Sequence, residues 1–128
     1  MTPRQGIRWA LPILVTAVIA ALAIKDSRVL AQDVVKISPE THAVLLENEQ
    51  VRVLDVRVRP GERVAVHSHP HNVVYYLTDG KVRVTLPDGS TQDRAVKAGS
   101  ALWSEASVHA VENVGTSEFR EIQIELKK

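Results

Sequence analysis

Apolar and polar side chains alternate along short segments of the chain. In Val51–Arg59, for example, Leu54, Val56 and Val58 alternate with the polar residues Asp55 and Arg57. A period of two residues is typical of a β-strand with one buried face. Further segments of this kind are Val64–His69, Val73–Thr78, Lys81–Leu86 and Glu121–Leu126. In the last segment Ile122, Ile124 and Leu126 share one face of the predicted strand, and Glu121, Gln123 and Glu125 share the other.

Turn residues separate these predicted strands. Pro60-Gly61, Asp79-Gly80, Pro87-Asp88-Gly89 and Ala98-Gly99-Ser100 are the separators, and strands divided by turns in this way are typical of a β-sandwich or barrel. Asp79-Gly80 favours a tight hairpin, because both residue types tolerate a positive φ. From Val34 onward no run has a helical period, and the intervals are too short for crossover helices. The sequence therefore predicts an all-β fold, a single antiparallel jelly-roll β-barrel.

Residues 1–31 differ in pattern from the rest of the chain. A short basic stretch with Arg4 and Arg8 precedes an apolar run from Trp9 to Ile24, and Val29-Leu30-Ala31 follows a polar break. This is the layout of an export signal. A cleaved signal peptide and an uncleaved N-terminal anchor helix both remain open. Either predicts an exported domain over residues 32–128, periplasmic or extracellular, or else tethered to the membrane through residues 1–31.

Charge and cysteine content narrow the classes of function. The net charge is +1, but residues 32–128 carry 12 basic and 14 acidic side chains. Such a domain has no electrostatic reason to bind nucleic acid or an anionic membrane. The chain has no cysteine, which excludes thiolate nucleophiles, disulfides and cysteine-ligated metals. Any metal site must therefore use nitrogen and oxygen ligands.

Histidines provide the candidate chemistry. His67 and His69 are two positions apart in a predicted strand, so their imidazoles project from the same face and suit the chelation of one ion. A pair binds weakly, so a further ligand must come from elsewhere, and His109 lies in another β-rich segment. His42 has no partner in the sequence, and we interpret it as a surface residue.

The arrangement resembles the cupin superfamily, in particular small single-domain cupins of the cupin_2 type. Gly61 is followed after five residues by His67-Ser68-His69, and Gly80 closes this first motif. The second motif is matched by His109 with Asn113 four positions later and Gly99 before them. The resemblance implies a barrel in which His67, His69 and His109 converge on one divalent metal ion. It leaves the metal open among iron, manganese, zinc, nickel and copper.

The sequence departs from the family pattern at the position of a fourth ligand. Val73 stands where the glutamate of the first motif is expected. His71 and Glu105 are the candidate replacements, and for each an exposed loop position is the alternative. If the site is catalytic, we expect Glu105 to transfer protons beside the metal.

Two functions follow from these expectations. The first is a metal-dependent enzyme, an oxygenase or lyase that acts on a small organic acid or carbonyl compound. The second is a non-catalytic module of the cell envelope that binds a small ligand or a metal. A homodimer is a further hypothesis, because Val64 and Val66 are expected to point away from the face with His67 and His69, and a partner subunit could cover that outer face.

Overall fold

The computed structural model describes residues 32–128, which form two facing β-sheets. The predicted signal or anchor over residues 1–31 lies outside the described residues. Within residues 32–128 no helix is long and apolar enough to cross a membrane. The elements are β1 (Gln32–Asp33), α1 (Val34–Ile37), β2 (His42–Glu47), β3 (Val51–Val58), β4 (Arg63–His69), β5 (Asn72–Tyr76), β6 (Gly80–Thr85), β7 (Thr91–Val96), β8 (Ala101–Ser104), β9 (Ser107–Asn113) and β10 (Phe119–Leu126).

Each sheet has five strands. The first sheet has the order β1-β4-β9-β6-β7 and the second the order β2-β3-β10-β5-β8. All pairs are antiparallel except β1 with β4. Apart from the consecutive pairs β2-β3 and β6-β7, neighbours in each sheet come from distant parts of the chain, because the chain crosses repeatedly from one sheet to the other. This mostly antiparallel two-sheet barrel agrees with the predicted jelly roll.

The single helical turn α1 was not predicted. Asp33 caps it by accepting a hydrogen bond from the backbone N–H of Val35 at 3.1 Å. The turn places Val34 in the core, where the side chain is fully buried. At four residues α1 is too short to show a helical period in the sequence.

The hairpin predicted at Asp79-Gly80 is wrong. β5 and β6 lie in different sheets, so the segment between them crosses the barrel instead of reversing within one sheet. A glycine is required at position 80 for space, because a Cβ there would lie 2.9 Å from Cδ2 of Phe119. Gly61, Gly89 and Gly99 do adopt a positive φ in their predicted turns.

The apolar core fills one part of the space between the sheets. Its buried members are Val34, Leu54, Val56, Val58, Val64, Val82 and Phe119. The remaining interior is a cavity lined by both polar and apolar side chains, and it contains the candidate site.

Candidate metal centre and cavity

A bulge in β4 decides which side chains of this strand face the interior. Val64 pairs with Val111 and His67 pairs with His109, so three steps along β4 match two steps along β9. The extra residue changes the alternation. Val64, His67 and His69 are therefore all buried, whereas Val66 is exposed. The expectation that Val64 faces away from the two histidines is wrong for this reason, whereas Val66 does face outward. The homodimer stays a prediction.

The three histidines of the motifs come together as expected. His109 lies opposite His67 on the neighbouring strand, and their ring centroids are 4.8 Å apart. The rings of His67 and His69 are 4.7 Å apart, and those of His69 and His109 are 5.4 Å apart.

His42 joins this cluster from the opposite sheet. It is buried on β2, and its ring lies 5.9 Å from that of His67 and 6.2 Å from that of His69. His42, His67 and His69 each offer one ligand atom, and these three atoms lie within 4.8 Å of one another. The three buried histidines could therefore hold a metal ion. Our interpretation of His42 as a surface residue is therefore wrong. Neither motif contains it, and nothing in the local sequence shows that an edge strand of the other sheet faces β4.

Each of the four rings has a neighbour at Nδ1. Nδ1 of His67 donates to the carbonyl of Ala65 at 2.6 Å. Nδ1 of His42 lies 2.7 Å from Oγ1 of Thr41, and the hydroxyl of Thr41 donates a hydrogen bond to the carbonyl oxygen of Ser38. Nδ1 of His69 lies 2.7 Å from a carboxylate oxygen of Glu125.

His109 has the longest of these contacts, 3.3 Å from Nδ1 to the hydroxyl of Ser107. A hydrogen bond at one ring nitrogen fixes the tautomer and directs the lone pair of the other nitrogen toward a ligand. The arrangement therefore leaves Nε2 of each ring for coordination.

Burial keeps the rings of His42, His67 and His109 neutral. It lowers the pKa of His67 to about 4. It lowers the pKa of His42 and His109 to about 3, and in both cases the neighbouring histidines add to the effect. A neutral imidazole is the form that binds a metal. Nε2 of His67 is buried and has no hydrogen-bond partner, which is costly in a folded protein unless another ligand takes the lone pair.

Glu125 supports the cluster from β10. It is 2% exposed, accepts from His69, and is bound at 2.6 Å by the guanidinium of Arg52. Arg52 also forms a two-bond pair with Asp33, at 2.9 and 3.0 Å. These partners outweigh the effect of burial and hold the pKa of Glu125 below its usual range. Sequence analysis missed Glu125 because it shares a face with two other polar residues, which resembles a solvated face.

The other candidates lie outside the cluster. His71 and Glu105 are exposed and form an ion pair with each other at 2.8 Å, and Nε1 of Trp103 donates to Glu105. The proton-transfer role predicted for Glu105 and the fourth-ligand role considered for His71 find no support in these positions. Asn113 is fully buried, but its side chain bonds Val58, Gly115 and Ser117 and so fixes the turn after β9.

The histidines line one side of a cavity of about 90 Å³ between the sheets. This space accommodates a few water molecules or a small organic ligand. Apolar and polar residues of both sheets complete the lining, and the polar ones include Tyr76, Arg94, Glu121 and Gln123.

Comparison with known proteins agrees with this architecture. Residues 47–124 match the Cupin_2 family, described as a cupin domain. The chain belongs to this cupin family.

Relatives of this cupin include a named protein and a solved structure. It is 35% identical over 86 residues to the beta-alanine degradation protein BauB of Pseudomonas aeruginosa, with 66% of this chain and 90% of BauB covered. A cupin domain from Bordetella pertussis superposes with a TM-score of 0.64 at 29% identity, covering 68% of this chain and 92% of that one. A cupin superfamily protein from Desulfitobacterium hafniense shares the fold, with a TM-score of 0.53 at 20% identity, covering 68% and 76%.

Proposed function

We propose that this cupin binds one divalent metal ion through Nε2 of His42, His67, His69 and His109. The observation that carries the proposal is the shared geometry of the four rings, which have neighbours at Nδ1 and meet inside the cavity. The buried, unpartnered Nε2 of His67 fits the same role. His42 would take the place of the glutamate that is missing at Val73.

We further propose that the site is catalytic and that the protein is an oxygenase or lyase. A bound metal supplies a Lewis acid, or a centre for O₂, next to the substrate. The chain itself provides the cavity of about 90 Å³, whose size limits the substrate to a small molecule. BauB is named for the degradation of beta-alanine, a small carboxylic acid, and this likeness supports a small organic acid or a related carbonyl compound as the substrate.

A non-catalytic module that binds metal is the second candidate. It is favoured by the four histidines, since a site filled by four protein ligands is typical of structural metals. It is also favoured by Glu125, which is engaged by both Arg52 and His69 and is not free to transfer protons. Cupin folds serve several functions, so the fold does not choose between the two.

Metal analysis of the purified full-length protein tests the site. We expect about one equivalent of metal after reconstitution, as for a single centre, and its loss in His67→Ala. His42→Ala distinguishes a four-histidine site from the predicted three-histidine site. The metal affinity should fall in this variant only if His42 is a ligand. His71→Ala is the matched control, an exposed histidine outside the cavity. If no divalent ion binds to the wild type, the metal proposal is wrong.

Turnover separates the two candidates. Consumption of O₂ or of a small carboxylic acid by the metal-loaded protein, absent in His67→Ala, supports the enzyme. Stoichiometric metal without turnover on a panel of such acids supports the binding module.

We also propose that the domain is exported from the cytoplasm. Its support is the pattern of residues 1–31 alone. Fractionation of cells that express the full chain, with N-terminal sequencing of the product, would find a mature start near Gln32 or an intact membrane-bound chain. An intact chain in the cytoplasm contradicts both forms of the proposal.

A further inference from the structure

Arg94 is the one permanently charged cation among the residues that line the cavity. It lies on β7 opposite Val82, a core residue of β6, and directly opposed residues share a face of the sheet. The guanidinium therefore faces the space between the sheets. Its side chain is exposed, so it lies where the cavity opens to solvent and keeps its hydration without a ligand.

Arg94 has no acidic partner among residues 32–128. Its Nη2 donates a hydrogen bond to Oε1 of Gln92, which is neutral, at 2.8 Å. The other interior arginine, Arg52, is paired with two carboxylates. Arg83, on the outer face of the same sheet, is paired with Asp93 at 2.7 Å. Arg94 thus presents a free guanidinium fork, the group that binds carboxylates most specifically.

Tyr76 and Glu121 face Arg94 from the opposite sheet. They are paired across β5 and β10, and both line the cavity. Tyr76 experiences the charges of both Glu121 and Arg94, so its phenol lies near both groups. Arg94 also lies near enough to His109 to affect the ionisation of that ring. One ligand could therefore contact Arg94 and reach the histidines.

The Glu121 side chain makes no hydrogen bond or ion pair within the described part of the chain. Burial raises the pKa of Glu121 to about 8, so at neutral pH it is a carboxylic acid with an O–H to donate. The other titratable and charged groups that line the same cavity are Tyr76 on β5, Arg94 on β7, His42 on β2, His67 and His69 on β4, and His109 on β9. None of these is a carboxylate that would compete for an anion.

We propose that Arg94, Tyr76 and Glu121 form a carboxylate-binding subsite at the mouth of the cavity, which selects small monocarboxylates and aims their other end at the histidine cluster. The carboxylate subsite deepens the proposed function. Only the orientation of the ligand toward the histidine cluster rests on that function. The binding of the carboxylate itself depends only on the chain and needs no metal.

The probes are 3,3,3-trifluoropropanoate and its neutral amide of the same shape, 3,3,3-trifluoropropanamide. Their affinities for the full-length, chelator-treated protein are measured by ¹⁹F NMR titration. We expect the wild type to bind the carboxylate at least about tenfold more tightly than the amide, as for one charge-assisted pair. Arg94→Gln should abolish this preference. Arg83→Gln is the matched control on the outer face of the same sheet, and it should keep the preference.

The dependence of carboxylate affinity on pH distinguishes a binding role of Glu121 from a purely structural one. Carboxylate affinity should fall as pH rises through about 8, because ionised Glu121 repels the ligand. In Glu121→Gln the amide still donates a hydrogen bond, so binding at neutral pH should persist and the fall above pH 8 should disappear.

Two results overturn the subsite: equal binding of carboxylate and amide by the wild type, or an unchanged preference in Arg94→Gln. If the carboxylate binds through Arg94 but no metal is taken up, the proposed function fails and the subsite stands. If the histidines bind metal and the carboxylate preference is absent, the subsite alone is wrong.

Discussion

β3 and β10 are neighbours in one sheet, yet they turn opposite kinds of residue toward the interior. β3 buries Leu54, Val56 and Val58. β10 pairs Gln123 with Leu54 and Glu121 with Val56, so its polar residues face the same interior. Ile122 and Ile124 face outward. Alternation therefore reveals that a strand has two different faces, but it does not show which of them is inside.

The polar face of β10 is tolerated because most of its groups have partners or carry no charge. Glu125 is bound by Arg52 and His69, and Nε2 of Gln123 donates to Asn72 at 3.1 Å. Glu121 is protonated at neutral pH because burial raises its pKa. A cavity thus replaces part of the apolar core, and the remaining interior of the barrel must supply the stability.

Among these variants, Glu125→Ala should cause the largest loss in the free energy of unfolding. It leaves Arg52 with one partner fewer and His69 without its carboxylate, and breaking a buried pair costs about 3–5 kcal/mol. Urea denaturation of the metal-free protein measures the loss. Glu118→Ala, an exposed carboxylate in the loop before β10, is the control. Equal stability of the two variants would contradict the role given to the buried pair.

Leu54→Ala tests the apolar side of the comparison. Leu54 is fully buried, and removal of a buried leucine side chain costs about 2–5 kcal/mol in the free energy of unfolding. Ile124→Ala removes a similar side chain from the outward face of β10 and should cost about 1 kcal/mol. A larger loss from Ile124→Ala than from Leu54→Ala would mean that the interior has been placed on the wrong side of this sheet.

Glu121→Gln should stabilise the protein in a pH-dependent way. The pKa of Glu121 is about 8 in the folded protein, against 4.5 for an unperturbed glutamate, so between these values the unfolded chain binds fewer protons. Stability of the wild type therefore falls as pH rises from 4.5 toward 8. One pKa unit corresponds to about 1.4 kcal/mol, so we expect a gain of a few kcal/mol, up to about 5 kcal/mol at the upper end of this range.

Thermal unfolding of wild type and Glu121→Gln across this pH range measures the difference. The two curves should converge near the lower value, where the carboxyl is protonated in both states. A constant difference at all pH values would show that Glu121 does not titrate as its burial requires.

Trp103→Ser should have the smallest effect. Trp103 lies on the outward face of the same sheet, paired with Val73, and is 51% exposed. An exposed substitution changes the free energy of unfolding by about 0.5 kcal/mol or less. Urea denaturation at two protein concentrations measures it. A clearly larger, concentration-dependent loss would mean that this outward face is covered in solution.

Local sequence pattern was sufficient to predict five of the ten strands within residues 32–128, most turns and three of the four clustered histidines. β3 and β4 match their predicted ranges to within one residue at each end, and Gly61, Gly89 and Gly99 turn the chain with a positive φ. These features depend on short stretches of chain, where alternation and turn chemistry act directly. His67, His69 and His109 were found because the family motifs fix their spacing.

The pairing of the strands and the faces that they turn to each other became known from the three-dimensional structure. The placement of β5 and β6 in different sheets, the bulge that turns Val64 inward, and the approach of His42 and Glu125 to the site all depend on contacts between distant segments. A one-residue change of register moves every following side chain to the other face. The alternation of residues along one strand does not predict such a change, because the partner strand that fixes the register lies elsewhere in the chain.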